Sequence, residues 1–108
     1  CGPCRMEMPA FKEVYNEYQE RGLVILAVNS TSQDTRTAVE KFVAEFQLPF
    51  PIPLDVEGKV ARLYRVSALP STFFVGRDGV ITKVVIGGPL AESTLRAEVE
   101  SLLAEELP

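Results

Sequence analysis

Histidine and tryptophan are absent from the 108 residues, and cysteine occurs only twice, at Cys1 and Cys4. A structural zinc ion needs four ligands, chiefly cysteine and histidine, and this composition argues against such a site. Haem attachment requires a histidine directly after the second cysteine, where Arg5 stands instead. Two cysteines so close together also differ from the framework of a disulfide-stapled miniprotein, so packing must supply the stability.

Positive charge is also in short supply, since 11 lysines and arginines face 15 acidic residues and the net charge is -4. Such a surface does not attract phosphate backbones, so nucleic acid is not an expected partner. The longest apolar run, residues 23–28, is far too short to cross a bilayer. The sequence starts at Cys1 and not at methionine, so we expect any membrane tether to lie in a missing N-terminus. Length and composition predict one compact domain over residues 1–108.

The two cysteines stand in the segment Cys1-Gly2-Pro3-Cys4, at the predicted start of a helix. This spacing puts both sulfurs on one turn, within bonding reach. The positive end of the helix favours thiolate over thiol, and such motifs show cysteine pKa values of roughly 3.5–7.5. Cys1, ahead of the first turn, is the predicted nucleophile, and Cys4 is the resolving thiol. Pro3 preorganises the turn without loss of a helical hydrogen bond.

A static disulfide is the alternative interpretation of this pair. Closing so short a loop constrains little chain entropy, so the bond would stabilise the fold poorly. The sequence therefore predicts a redox-active Cys1–Cys4 disulfide and no further cofactor.

A first helix is predicted from about Pro3 to Arg21, where Gly22 ends the pattern. Pro9 lies inside it and predicts a kink, because proline removes a backbone donor and clashes with the preceding turn. The apolar residues at helical spacing are Ala10, Phe11, Val14 and Tyr18.

Glu7 repeats with these apolar residues, one turn beyond Cys4. Partial burial would raise the pKa of its carboxyl and fit it to accept a proton from Cys4 near neutral pH. Alternatively, the kink at Pro9 rotates Glu7 outward and leaves a surface glutamate near the positive helix end.

The rest of the chain alternates between strand and helix patterns. Residues 23–28 are continuously apolar, as in a strand covered on both faces. Thr37 with Glu40 suggests a capping box for a second helix. Asp55 follows an extended proline-rich stretch and can cap a short third helix. The apolar positions of the second, third and last helices are Val39, Phe42, Val43 and Phe46; Val56, Val60, Leu63 and Tyr64; and Leu95, Val99, Leu102 and Leu103.

Residues 72–75 and 80–86 flank Arg77-Asp78-Gly79, a turn signal that predicts a β-hairpin. The resulting order is helix, strand, helix, short helix, hairpin and helix. Such alternation indicates an α/β sandwich.

Several segments together resemble a known family. Cys1-Gly2-Pro3-Cys4, with Pro9 five residues after the second cysteine, resembles the active-site helix of thioredoxin-fold proteins. The segments that resemble the bacterial extracytoplasmic branch typified by TlpA and ResA are Glu7-Met8-Pro9, Pro51-x-x-Leu54-Asp55, Tyr64-x-Val66, Leu69-Pro70-Ser71-Thr72-Phe73 and Asp78-Gly79.

The resemblance implies a thioredoxin-like α/β fold, with a mixed sheet flanked by helices. The strand that normally runs into the first cysteine is missing from this chain. In that fold it lies centrally, between the strand equivalent to residues 23–29 and the strand that begins near Thr72. We therefore expect a further strand, from upstream or from another chain, to complete the sheet.

The resemblance also implies a function and a location. It implies an extracytoplasmic reductase of protein disulfides, supplied by an upstream thiol donor, with maturation of cytochromes c as one process. In this family a cis proline faces the cysteine pair, so Pro70 carries over, and the Leu69 backbone, with Gly2 and Pro3, would bind substrate. From the residues alone, Leu69-Pro70 also suits an ordinary strand-entry proline.

Two other functions remain open. Related redoxins are thiol peroxidases that use one cysteine against peroxide, although the close second cysteine argues against this. A non-catalytic redox sensor or copper-binding domain is the other alternative, but copper-delivering relatives use a histidine and none occurs here.

Overall fold

The first helix, α1, runs from Gly2 to Tyr18 in the computed structural model, which describes residues 1–105. A 3-10 turn, Gln19–Arg21, follows, and Gly22 ends it with a left-handed φ of 103°. The helix continues through Pro9, so its buried face keeps one phase along its length. The last positions of the predicted domain, 106–108, lie outside the described residues.

The second helix, α2, spans Arg36–Phe46, and its N-cap differs from the prediction. Thr35 is the cap, because its Oγ1 accepts a hydrogen bond from Ala38 N–H at 3.1 Å. Thr35 also has the extended backbone that a cap requires. The predicted box of Thr37 with Glu40 is therefore wrong, and Glu40 instead pairs with Arg36 one turn earlier, at 3.9 Å.

The segment 23–28 is extended but is not a strand, so the prediction of a strand covered on both faces is also wrong. Leu23, Ile25 and Ala27 pack on the core, whereas Val24, Leu26 and Val28 are exposed. Ala27 N–H donates to the Pro51 carbonyl at 3.1 Å, and Asn29 forms a parallel bridge with Leu54.

The ladder is short because Pro51 and Pro53 have no N–H to donate. On the other edge of the segment, no backbone hydrogen bond within residues 1–105 involves Val24, Leu26 or Val28. This is the edge at which the resemblance implies a missing central strand.

A short helix, α3, spans Lys59–Leu63, and its N-cap residue is Gly58 and not Asp55. The Asp55 side chain, three residues farther upstream, nevertheless supplies the predicted capping hydrogen bonds. The Asp55 carboxylate accepts from Val60 N–H at 3.1 Å and from Ala61 N–H at 2.9 Å. These backbone hydrogen bonds hold the pKa of the Asp55 carboxyl below its usual value.

The predicted hairpin and last helix are present. Strands β1, Ser71–Val75, and β2, Ile81–Ile86, pair antiparallel, and they form the two-stranded sheet of the described chain. Gly79 closes the turn with a φ of 83°. Helix α4, Glu92–Ala104, packs on α1 and β1. The buried core consists of Phe11, Val14, Tyr18, Phe50, Phe74, Leu90, Leu95 and Val99.

The cap at Thr35 leads to a direct test. We expect Thr35→Ala to lower the free energy of unfolding by about 1 kcal/mol, because Ala38 N–H loses its acceptor. Thr37→Ala is the matched control and should change it by less than about 0.5 kcal/mol. Urea denaturation measures both variants. A larger loss for Thr37→Ala would contradict the assignment of the cap.

Candidate active site

A disulfide joins Cys1 to Cys4 at the first turn of α1. Cys1 is the N-cap, and its Sγ accepts a hydrogen bond from Cys4 N–H at 3.3 Å. Pro3 lies in the first turn, where its missing N–H costs no helical hydrogen bond. Cys1 is exposed and Cys4 half-buried, so Cys1 is the more accessible of the two sulfurs.

Glu7 lies on the buried face of α1, one turn after Cys4, and its exposed fraction is only 3%. The alternative in which Pro9 rotates it to the surface is therefore wrong. Its Oε2 accepts a hydrogen bond from Leu90 N–H at 2.8 Å. Burial raises the pKa of the Glu7 carboxyl, and the hydrogen bond from Leu90 partly opposes that rise.

The segment that carries Leu69 and Pro70 leads into β1. The Leu69–Pro70 peptide bond is cis, in agreement with the family resemblance. Pro70 is buried, and its carbonyl accepts a hydrogen bond from Gly87 N–H at 2.8 Å. Leu69 is 45% exposed and forms no backbone–backbone hydrogen bond within residues 1–105. Its N–H and carbonyl thus have no backbone partner among these residues.

Gly88 connects this proline to Glu7. A Cβ atom at Gly88 would lie 2.8 Å from Pro70 Cγ and 2.9 Å from Glu7 Oε2, closer than real Cβ contacts. Any side chain at this position would therefore displace one of these two groups. The structure brings Cys1, Cys4 and Glu7 together along α1, and the contact at Gly88 places Pro70 beside Glu7.

Sequence reasoning missed Gly88 and Leu90. The only local signal was the segment Gly87-Gly88-Pro89, whose Gly88–Pro89 bond is also cis. Such a segment indicates a turn but does not reveal which groups approach the glycine. Within residues 1–105, no three His, Cys, Asp or Glu side chains cluster closely enough to hold a metal ion.

Solved structures of similar shape support a single fold class. StoA from Bacillus subtilis superposes with a TM-score of 0.81 at 29% identity, covering 92% of this chain and 74% of its own. A candidate thiol:disulfide interchange protein DsbE from Chlorobium tepidum reaches 0.86 at 29% identity, covering 96% of this chain and 73% of its own. The fold is thioredoxin-like, and it carries a cysteine pair at the start of its first helix.

The family follows from sequence comparison. A model of the AhpC/TSA family matches residues 1–84, and the chain belongs to this family. Its curated relatives include thiol-disulfide oxidoreductases named ResA. The protein of Oceanobacillus iheyensis is 39% identical over 87 residues, which are 81% of this chain and 44% of the relative. The protein of Geobacillus thermodenitrificans is 37% identical over 102 residues, which are 94% of this chain and 57% of the relative. The chain thus spans about half the length of these curated relatives.

The burial of Glu7 predicts a specific pH dependence of stability. A carboxyl whose pKa is raised by folding holds its proton more tightly in the folded state than in the unfolded chain. Stability therefore falls as the pH rises above the ordinary glutamate value of 4.5 toward the raised value. Glu7→Gln keeps an acceptor for Leu90 N–H but cannot ionise, so it should be more stable than wild type at pH 7–8.

This gain should decline as the pH falls from the raised value toward 4.5, and it should be lost below 4.5, where Glu7 is protonated in both states. Thermal unfolding across pH measures the difference. Glu13→Gln, an exposed glutamate on the same helix, is the control and should show no such trend. A Glu7→Gln variant less stable than wild type at pH 8 would show that the buried carboxylate does not lower the free energy of unfolding.

Proposed function

We propose that this protein is a thiol-disulfide oxidoreductase that reduces disulfides in other proteins through Cys1 and Cys4. One arrangement in α1 carries the proposal. Cys1 is exposed and caps the helix, and the Glu7 carboxyl is buried one turn beyond Cys4. The activity named for the ResA relatives agrees with it.

The first chemical step starts from the reduced pair. The Cys1 thiolate attacks one sulfur of a substrate disulfide, and a mixed disulfide forms between Cys1 and the substrate. The other substrate sulfur leaves as a thiolate and takes a proton from solvent. Cys1 suits this role because it is exposed and because the N–H groups of the first turn favour its thiolate.

Cys4 completes the reaction. It passes its proton to the Glu7 carboxylate, and the resulting thiolate attacks the Cys1 sulfur of the mixed disulfide. The Cys1–Cys4 disulfide forms as the bond between Cys1 and the substrate breaks. The second substrate sulfur leaves as a thiolate and takes a proton from solvent, so the substrate has gained two electrons. Glu7 suits this task because burial raises the pKa of its carboxyl toward the working range of a general base. An upstream thiol donor then reduces Cys1–Cys4 again.

Substrate binding is assigned to the backbone around the cysteine pair and the cis proline. The free N–H and carbonyl of Leu69 can pair with an extended substrate segment beside Pro70. Gly2 has nothing within 4 Å of its Cβ position, and Gly2 and Pro3 leave room for a substrate close to Cys1.

We place the protein outside the cytoplasm, on the basis of its similarity to ResA and of the family resemblance. Maturation of cytochromes c is the process proposed for it. Each helix of the described chain is too short or too polar to span a bilayer.

The roles of the two cysteines can be tested by trapping. In Cys4→Ser the mixed disulfide cannot be resolved, so covalent complexes with a disulfide-bonded protein such as insulin should accumulate on Cys1. Cys1→Ser is the matched control and should trap little, because Cys4 is half-buried. Non-reducing electrophoresis and mass spectrometry identify the linked residue. Accumulation through Cys4 in Cys1→Ser would reverse the assigned roles.

Substrate class is tested by comparing two assays on wild type. With dithiothreitol as donor, we expect catalysed insulin reduction and little consumption of hydrogen peroxide. Peroxide consumption that survives in Cys4→Ser would indicate a thiol peroxidase instead. No turnover in either assay would favour a redox sensor.

A further inference from the structure

The residue after the cysteine pair, Arg5, makes a set of contacts with helix α2. Its Nη2 donates to both carboxylate oxygens of Glu45, at 2.7 and 2.8 Å. The guanidinium carbon also lies over two aromatic rings, 5.6 Å from the centroid of Phe42 and 5.2 Å from that of Phe46. One carboxylate and two rings of α2 thus hold a cation that is adjacent to Cys4 in the chain.

A second cation of α1 contacts the same end of α2. Lys12 Nζ donates to the Phe46 carbonyl, at the last residue of the helix, at 3.2 Å. Lys12 lies seven residues beyond Arg5, which is about 10 Å farther along the helix axis from the cysteines. The two contacts both tie α1 to α2, but only Arg5 belongs to the start of α1, directly after Cys4.

Fold stability alone does not account for the Arg5–Glu45 pair. Their side chains are 47% and 56% exposed, and an ion pair at such a site contributes only about 0.2–1 kcal/mol. Its position has a larger consequence for the chemistry. An uncompensated guanidinium there would add to the positive helix end that already favours a thiolate, whereas Glu45 offsets that charge.

We propose that Glu45 is a positioning residue that holds and neutralises Arg5, so that the Cys1–Cys4 pair remains reducing. The reduced pair carries thiolate charge and the disulfide carries none. Positive charge nearby therefore favours the reduced form and makes the disulfide more oxidising, and a counter-charge has the opposite effect. This inference rests on the proposed function in one respect, the direction of electron flow.

The test is the redox equilibrium of the protein with reduced and oxidised glutathione, measured by thiol alkylation. Glu45→Gln leaves Arg5 unpaired and should shift the equilibrium about two- to fivefold toward the dithiol. Arg5→Gln leaves Glu45 unpaired and should shift it by a similar factor toward the disulfide. The double variant should lie close to wild type.

The opposite signs separate an electrostatic role from a mechanical one. If the contacts only brace α2, both single variants loosen the same link and shift the equilibrium in the same direction. Roughly 1 M salt should suppress the opposed shifts, because the Debye length falls to about 3 Å. Lys12→Gln, which breaks the more distant link, should leave the equilibrium unchanged.

Shifts in the same direction, no shift at all, or an equal effect of Lys12→Gln would overturn the proposal. If a glutamine variant fails to fold, the same equilibrium is measured for Arg5→Lys and Glu45→Asp. Both keep the charges and should keep the wild-type equilibrium, and a shift above twofold in either would also overturn it. The glutathione equilibrium needs no protein substrate, so a failure of insulin reduction would be recorded separately as a failure of the proposed function.

Discussion

The hydrogen bond from Leu90 N–H to the Glu7 carboxylate joins the active-site helix to the loop after β2. A buried carboxylate without such a partner would be strongly destabilising, so the burial of Glu7 depends on this contact between α1 and the loop after β2. Gly88 allows the approach because it has no side chain to occupy the space between Glu7 and Pro70. Glu7, which is assigned as the base, and Pro70, which is assigned to substrate binding, therefore both depend on the close approach at Gly88.

Much of the fold could be predicted from local patterns. The helical repeat placed Glu7 on the same face as Phe11, Val14 and Tyr18, and the structure buries that face. The turn around Gly79 predicted the hairpin, and Asp55 predicted the capping hydrogen bonds of α3, because each depends on residues close together in sequence. For the cis bond before Pro70 the residues alone left two interpretations open, and the family resemblance favoured the correct one.

The remaining features depend on residues far apart in the chain. Glu7 and Leu90 are 83 positions apart, and Arg5 and Glu45 are 40 apart, so no local pattern connects them. Residues 23–28 have the composition of a strand, but a strand needs hydrogen-bonding neighbours, which composition does not provide. The α2 cap was misplaced by two residues because both Thr35 and Thr37 suit the role, and only the backbone conformation distinguishes them.

The central claim is that Glu7 accepts the proton of Cys4 when the mixed disulfide is resolved. Its most direct test is the single-turnover rate of that step in wild type and in Glu7→Gln, followed by rapid acid quench from about pH 5 to pH 9. The account predicts that the mixed disulfide is resolved more slowly in Glu7→Gln and that the rate depends differently on pH. Glutamine keeps the shape of the side chain but cannot accept the proton. Equal rates across this range would show that Glu7 takes no part in the proton transfer.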